Sequence, residues 1–189
     1  RGMLLQALEC DKQCVRASLM LGQVECDCGR HRQAVQALRQ VRQQDPDYLA
    51  ETVSLLRQCY RALDDGRSLR DYLLESLAQR PTPALVAAIA ADMAHAEGEV
   101  AAADFLASQL LQYPSLAGLS QLIGLQLSRS EGKSRQDLAL LQGLADRLLT
   151  SRPAYRCGHC GFAGKHLHWN CPGCKHWGSI KAIGGPGSC

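Results

Sequence analysis

Apolar residues along most of this chain recur at the spacing of one helix face, beginning with Met3, Leu4, Leu5, Ala7 and Leu8. The pattern breaks at prolines that follow helical runs: Pro46, Pro81, Pro114 and Pro153, separated by 35, 33 and 39 residues. Proline lacks the backbone N–H and clashes with the preceding turn, so each marks a stop. Between the stops the periodicity predicts pairs of helices joined by short turns. The clearest pair runs from about Val15 to Tyr48, with Leu21 and Gly22 in its first helix, Gly29 at the turn and Ala34 and Leu38 in its second. Gly22 and Ala34 are small where two helices must cross closely, and Gly29 can take a positive φ at no cost.

A second copy has Leu56, Tyr60, an Asp64-Asp65-Gly66 turn, Leu69 and Leu73; a third has Ile89, Ala90, a Glu97-Gly98 turn, Ala102 and Leu106. Leu116 to Thr150 reads as one more hairpin, turning near Ser130-Glu131-Gly132 and matching the others poorly. The spacing is near the 34-residue period of tetratricopeptide repeats. A plain helix bundle with coincidental prolines explains the phased small residues, turns and stops less well. The expected fold is mainly α: a tetratricopeptide-type α–α solenoid, whose concave groove would hold a peptide or partner. Residues 1–151 are assigned to it, as repeats at about 15–48, 49–82, 83–115 and a degenerate 116–151.

Past Arg152-Pro153 the texture changes to Gly, Cys, His and Trp. Cys157-Gly-His-Cys160 and Cys171-Pro-Gly-Cys174 are two C-x-x-C knuckles ten residues apart. Each is a tight turn, and together they can set four sulfurs at tetrahedral corners about 2.3 Å from one ion. Gly158, Gly161 and Gly173 give amide groups room to point at the sulfurs. Short strands are expected between the knuckles and at Ser179 to Ile183. Residues 152–189 are therefore assigned to a small rubredoxin-like, zinc-ribbon β module with Cys157, Cys160, Cys171 and Cys174 as metal ligands. Zinc or iron suits four sulfurs. With every position filled by protein, the ion is expected to be structural, standing in for a core the module is too small to have. His159, His166, His168 and His176 are expected at the surface or beside the sulfurs, not as ligands. Phe162, Trp169 and Trp177 are expected to form an apolar seam docking the ribbon on the last helices and locking the end of the solenoid.

Composition fits this picture: 46% hydrophobic, 21% charged and 5% aromatic, rich in residues that favour helix. The net charge of +3 is uneven. Residues 151–189 carry five basic and no acidic groups, the first 150 sixteen basic and eighteen acidic. Four metal-bound thiolates would leave the basic tail near about +3, too mild to argue for a polyanion. Ten cysteines without a disulfide-scaffold spacing point to reduced thiols. Cys10, Cys14, Cys26 and Cys28 do not converge, since Cys26 and Cys28 face opposite sides of a helix; with Cys59 and Cys189 they read as ordinary small residues. No run of 18 apolar residues and no signal peptide is present. No Ser-His-Asp set, Walker loop, Rossmann fingerprint or carboxylate pair stands out, so no catalytic residue is assigned.

The order of parts resembles one family. Helical hairpins precede Tyr155-Arg156-Cys157-Gly-His-Cys160-Gly-Phe162, Trp169-Asn-Cys171-Pro-Gly-Cys174 and Trp177-Gly-Ser-Ile180-Lys181; upstream lie Val41 to Pro46, Glu51-Thr52 and Gln58-Cys59-Tyr60. Together these resemble the lipopolysaccharide assembly protein B family of Gram-negative bacteria. The resemblance implies a non-enzymatic adaptor at the cytoplasmic face of the inner membrane, held there by an N-terminal anchor. Its implied partners are the membrane protease FtsH and the deacetylase LpxC, whose breakdown restrains lipopolysaccharide synthesis. It also implies that the four ribbon cysteines ligate the metal. The chain starts inside a helical pattern, so it is expected to be the carboxy-terminal piece of a longer protein. Lys175 stands where a rubredoxin knuckle usually has glycine, a departure that disfavours iron-type electron transfer. The other classes considered are a nucleic-acid-binding zinc ribbon and a rubredoxin-like redox module.

Overall fold

The computed structural model describes residues 1–183; Cys189 and the end of the 152–189 segment lie outside the described residues. The described residues are mainly α-helical, with a small three-stranded sheet at the carboxy-terminal side. The helices are α1 (Gly2–Cys10), α2 (Val15–Asp27), α3 (His31–Gln44), α4 (Leu49–Ala62), α5 (Gly66–Gln79), α6 (Pro83–Ala96), α7 (Glu99–Gln112), α8 (Leu116–Ser128) and α9 (Gly132–Ser151). A 3-10 turn, Pro46–Tyr48, joins α3 to α4. None of these helices is long and apolar enough to cross a membrane.

Helices adjacent in sequence pack as hairpins, α2 on α3, α6 on α7 and α8 on α9. The leading helices α2, α4, α6 and α8 also pack on one another in succession, which makes the array a helical repeat rather than a closed bundle. Helix starts are fixed locally. Thr82 and Ser115 accept from the amides of Leu85 and Gly118, and Asp65 accepts from Ser68, each satisfying an N–H with no partner inside its helix. Pro83 takes the first turn of α6, where its missing N–H costs nothing.

Close packing explains the small residues. A Cβ added to Gly22 would lie 2.5 Å from Leu38 Cδ2, closer than such atoms ever approach. Gly22 is thus the point where α2 and α3 cross. At the second turn Asp64, with φ 53°, takes the left-handed conformation, and Gly66 begins α5. Asparagine and aspartate are the side chains that tolerate this region best.

The main core lies between α3 and α6, where Leu38, Leu56, Leu73, Leu85 and Ile89 are buried with Tyr60 and Tyr72. A second cluster of Val86, Ala90 and Leu106 continues toward α8. Two buried hydroxyls are satisfied within their own helices: Thr52 Oγ1 donates to the Leu49 carbonyl and Ser76 Oγ to the Tyr72 carbonyl, both at 2.7 Å. Packing thins toward the far end. In α9 only Ala145 is buried, and Leu140, Leu141, Leu144 and Leu148 are exposed.

After α9 the extended backbone at Arg152 turns the chain back into β1 (Tyr155–Cys157), β2 (Ala163–Gly164) and β3 (Ile180–Ala182). The sheet order is β2-β1-β3, both pairings antiparallel, with Tyr155 opposite Gly164 on one side and Ala182 on the other.

Candidate metal centre

The two knuckles face each other across the end of this sheet. Each closes with the same hydrogen bond, Gly161 N to Cys157 O at 3.0 Å and Lys175 N to Cys171 O at 2.9 Å. The closing residue has positive φ in both, 76° at Gly161 and 62° at Lys175. Glycine is at ease there, whereas lysine must bear a left-handed backbone. Gly173 sits so near the cluster that an added Cβ would lie 3.4 Å from Cys160 Sγ.

The structure brings all four sequence-predicted cysteines together, with every pair of sulfurs within 4.8 Å. Cys157 and Cys174 Sγ are 3.7 Å apart, as are those of Cys160 and Cys171. A tetrahedron with bonds of about 2.3 Å has edges of about 3.8 Å, so the arrangement fits a four-sulfur ion. Cys157 and Cys171 are buried, Cys174 half-buried and Cys160 exposed, so the cluster lies at the module's surface with one side open. Ile180 and the half-buried Tyr155, Phe162 and Leu167 pack around it.

Electrostatics inside the cluster are uneven. The Ser179 hydroxyl, 3.2 Å away, and the amides of Cys160 and His159 hold the Cys157 thiol down to about 5, against its burial. The His176 amide acts to lower Cys174 too, but burial and the thiols of Cys160, Cys171 and Cys157 outweigh it and push Cys174 up to about 12. Four thiolates this close repel one another strongly, and a single central cation reverses the sign of that interaction. An ion held by all four sulfurs would have its tetrahedral positions filled by the protein.

The four nearby histidines are exposed. His159 and His176 stack with ring centroids 3.6 Å apart, and each offers a ring nitrogen within 4.8 Å of Cys174 Sγ. His168 meets Phe162 edge-on at 6.3 Å.

The docking seam differs from expectation in both place and membership. The ribbon's aromatic and charged contacts fall on the 3-10 turn, α2, α3 and α4, near the front of the array, whereas the last helices were the expected place. Trp169 stacks on Tyr48 at 5.2 Å, within a cluster of Val15, Val41, Leu19 and Leu167. Tyr48 Oη donates to the Gly178 carbonyl at 2.8 Å, and Tyr155 Oη to Glu51 Oε1 at 2.7 Å. Lys181 Nζ reaches Asp45 Oδ2 at 2.8 Å and Asp47 Oδ2 at 2.7 Å, and Asp47 also pairs with Arg80. Of the three aromatic residues expected in the seam, only Trp169 enters its apolar cluster. Phe162 packs inside the ribbon, and Trp177 is 67% exposed with Arg16 over its ring. The physical reason is complementarity: the turn after α3 offers an aromatic face beside two carboxylates, while α9 carries no aromatic residue.

Ala182 and Ile183 continue over a shallow pocket walled by Pro46, Ala50, Pro83, Ala87 and Ala117. The ribbon therefore lies across the edge where successive hairpins meet.

Comparison with known proteins agrees with this geometry. Residues 155–182 match the family described as a rubredoxin metal binding domain. Lipopolysaccharide assembly protein B of Escherichia coli strain K12 is 31% identical over 185 residues, covering 97% of this chain and 47% of the relative. The protein of the same name from Haemophilus influenzae strain Rd is 32% identical over 184 residues, covering 97% and 46%. The chain is a homologue of lipopolysaccharide assembly protein B. It spans about half the length of the curated relatives it matches. The likeness runs through the helical repeats as well as the ribbon, since the ribbon alone accounts for residues 155–182.

Sequence reasoning missed the acceptors of the ribbon, Asp45, Asp47, Tyr48 and Glu51, because nothing local marks a residue as the partner of a distant strand. It also grouped Cys26 with Cys10, Cys14 and Cys28 and did not pair it with Cys59. Cys26 and Cys59 lie 33 residues apart on α2 and α4, close to one repeat period, and that spacing is a signal that they stack.

Proposed function

We propose that this chain is the repeat-and-ribbon part of a non-enzymatic adaptor in the control of lipopolysaccharide biosynthesis. Homology to lipopolysaccharide assembly protein B along 97% of the chain carries this reading. Residues 1–151 act as a tetratricopeptide-type scaffold and 152–189 as a metal-stabilised ribbon. Cys157, Cys160, Cys171 and Cys174 hold one tetrahedral ion, zinc or iron. When bound, the ion supplies cross-linking energy and charge neutralisation, while the chain's own residues orient the ribbon through Tyr48, Asp45 and Asp47. The parent protein works at the cytoplasmic face of the inner membrane, where the scaffold presents the deacetylase LpxC to the protease FtsH. A closed set of four protein donors supports a structural role for the ion rather than a catalytic one.

The test uses cells lacking the gene and complemented with full-length wild type or its Cys171→Ser variant, with LpxC half-life as the readout. Wild type is expected to shorten the half-life and the variant to leave it long. An LpxC half-life that is the same with and without the wild-type gene overturns the adaptor reading. A variant as active as wild type overturns the ribbon's part in it. Elemental analysis of purified protein distinguishes zinc from iron.

A further inference from the structure

A second group of metal-binding side chains lies inside the repeats, away from the ribbon. Cys26 near the end of α2, His31 at the start of α3 and Cys59 near the end of α4 offer ligand atoms that all lie within 4.8 Å of one another. Cys26 is 3% exposed and Cys59 fully buried, packed with Ala34 and Val35. His31 is half-buried, and its Nδ1 is buried with no hydrogen-bond partner among the described residues. A buried imidazole nitrogen without a partner forfeits its hydrogen bond to water and gains nothing in exchange. The two sulfurs near the imidazole are poor hydrogen-bond partners but good ligands for a soft ion.

From this geometry we infer that Cys26, His31 and Cys59 form a second site, for a thiophilic d10 cation of the Zn²⁺ class. Binding replaces the S–H bonds of Cys26 and Cys59 by two sulfur–metal bonds and releases two protons to solvent, while neutral His31 adds a nitrogen donor. Two thiolates and one divalent ion sum to zero charge, which is what an apolar pocket tolerates. Three protein donors leave a fourth position, and the half-exposed side of His31 is where a water or another small donor reaches it. The three residues come from α2, α3 and α4, so an ion there would clamp the first repeat to the second. Cys28, two residues after Cys26, is exposed and outside the group. The stacked pair His159 and His176 does not make an independent alternative, since its third member is Cys174 of the ribbon.

The experiment counts metal. Fully reduced, metal-free protein is refolded, titrated with Zn²⁺ and assayed for tightly held ion after desalting; Co²⁺ is used in parallel for its spectrum. Wild type is expected to hold two equivalents. The His31→Gln and Cys59→Ala variants should each hold one, with helical circular dichroism like that of wild type. The second Co²⁺ equivalent should give visible bands at higher energy than the first, because replacing thiolate by nitrogen and oxygen donors strengthens the ligand field. Wild type holding one equivalent overturns the proposal. So does a second equivalent that survives in both variants, which places it elsewhere. Should Cys59→Ala fail to fold, the half-exposed His31→Gln decides alone.

Discussion

The front and back of the array are built from the same kind of hairpin but are stabilised differently. Helices α2 to α5 bury leucines and tyrosines in a continuous core and carry the ribbon on the turn at Pro46–Tyr48. The hairpin α8–α9 buries little, holds itself with polar contacts such as Ser120 to Asp146 at 2.8 Å, and leaves Leu140 65% exposed. A repeat at the end of an array has a neighbour on one side only, so it ordinarily needs a cap. The ribbon follows α9 in sequence yet docks on the turn between α3 and α4. Proximity along the chain therefore did not decide where the module docked; complementary groups did.

The largest test of this contrast is metal removal. Chelating the ribbon ion should cost the module on the order of 10 kcal/mol and unfold it. Trp169 would leave Tyr48, so tryptophan emission should shift to the red while far-ultraviolet helical ellipticity stays nearly constant. Unchanged emission would mean that the ribbon holds its place without metal. Next in size is a paired truncation. Leu56→Ala, in the front core, should destabilise by about 2–5 kcal/mol. Leu144→Ala, on the exposed face of α9, should change stability by no more than about 0.5 kcal/mol. Equal losses in denaturant melts would erase the distinction between the two ends.

A smaller effect is expected at the docking ion pair. Lys181 has a side chain 37% exposed, so Lys181→Met should weaken docking by only about 0.5–1 kcal/mol, less at high salt. Burial acts to lower the Lys181 pKa, but its hydrogen bonds to Asp45 and Asp47 prevail and raise it above the ordinary 10.5. The sign follows from that direction: the pair's contribution is complete below pH 10.5 and fades as pH rises beyond the lysine range. Wild-type docking, followed by Trp169 emission, should therefore loosen in strong alkali more than that of the Met variant. The smallest change is a gain. Lys175→Gly removes a left-handed lysine and should stabilise the ribbon by about 0.5–1 kcal/mol in thermal melts of the holo protein.

What the residues disclosed on their own follows the range of the interactions. The knuckles were legible because a C-x-x-C turn is complete within a few residues, and all four cysteines meet as their spacing implied. The helical hairpins were legible because proline stops, small crossing residues and caps act within one or two turns; Gly22 against Leu38 is the clearest case. Details of φ were less so. At the second turn an Asp-Asp-Gly triplet offers both aspartate and glycine for the left-handed place, and Asp64 takes it. Long-range partnerships were not legible at all. Trp169 carries no mark that its partner is Tyr48 rather than a residue of α9, and three aromatic residues close in sequence turned out to have three different environments. Cys26 and Cys59 fall between these cases, invisible as a motif yet spaced by almost one repeat.

The contact between Tyr48 and Gly178 spans 130 residues, and those of Lys181 with Asp47 and Asp45 span 134 and 136. At synthesis rates of roughly 5–20 residues per second, the early hairpins leave the ribosome on the order of ten seconds before the segment that covers them. During that interval Tyr48 and its apolar neighbours are bare, and the nascent array has only next-door contacts. Ribbon closure is then the slow, high-contact-order step that joins these two distant stretches into one cooperative unit.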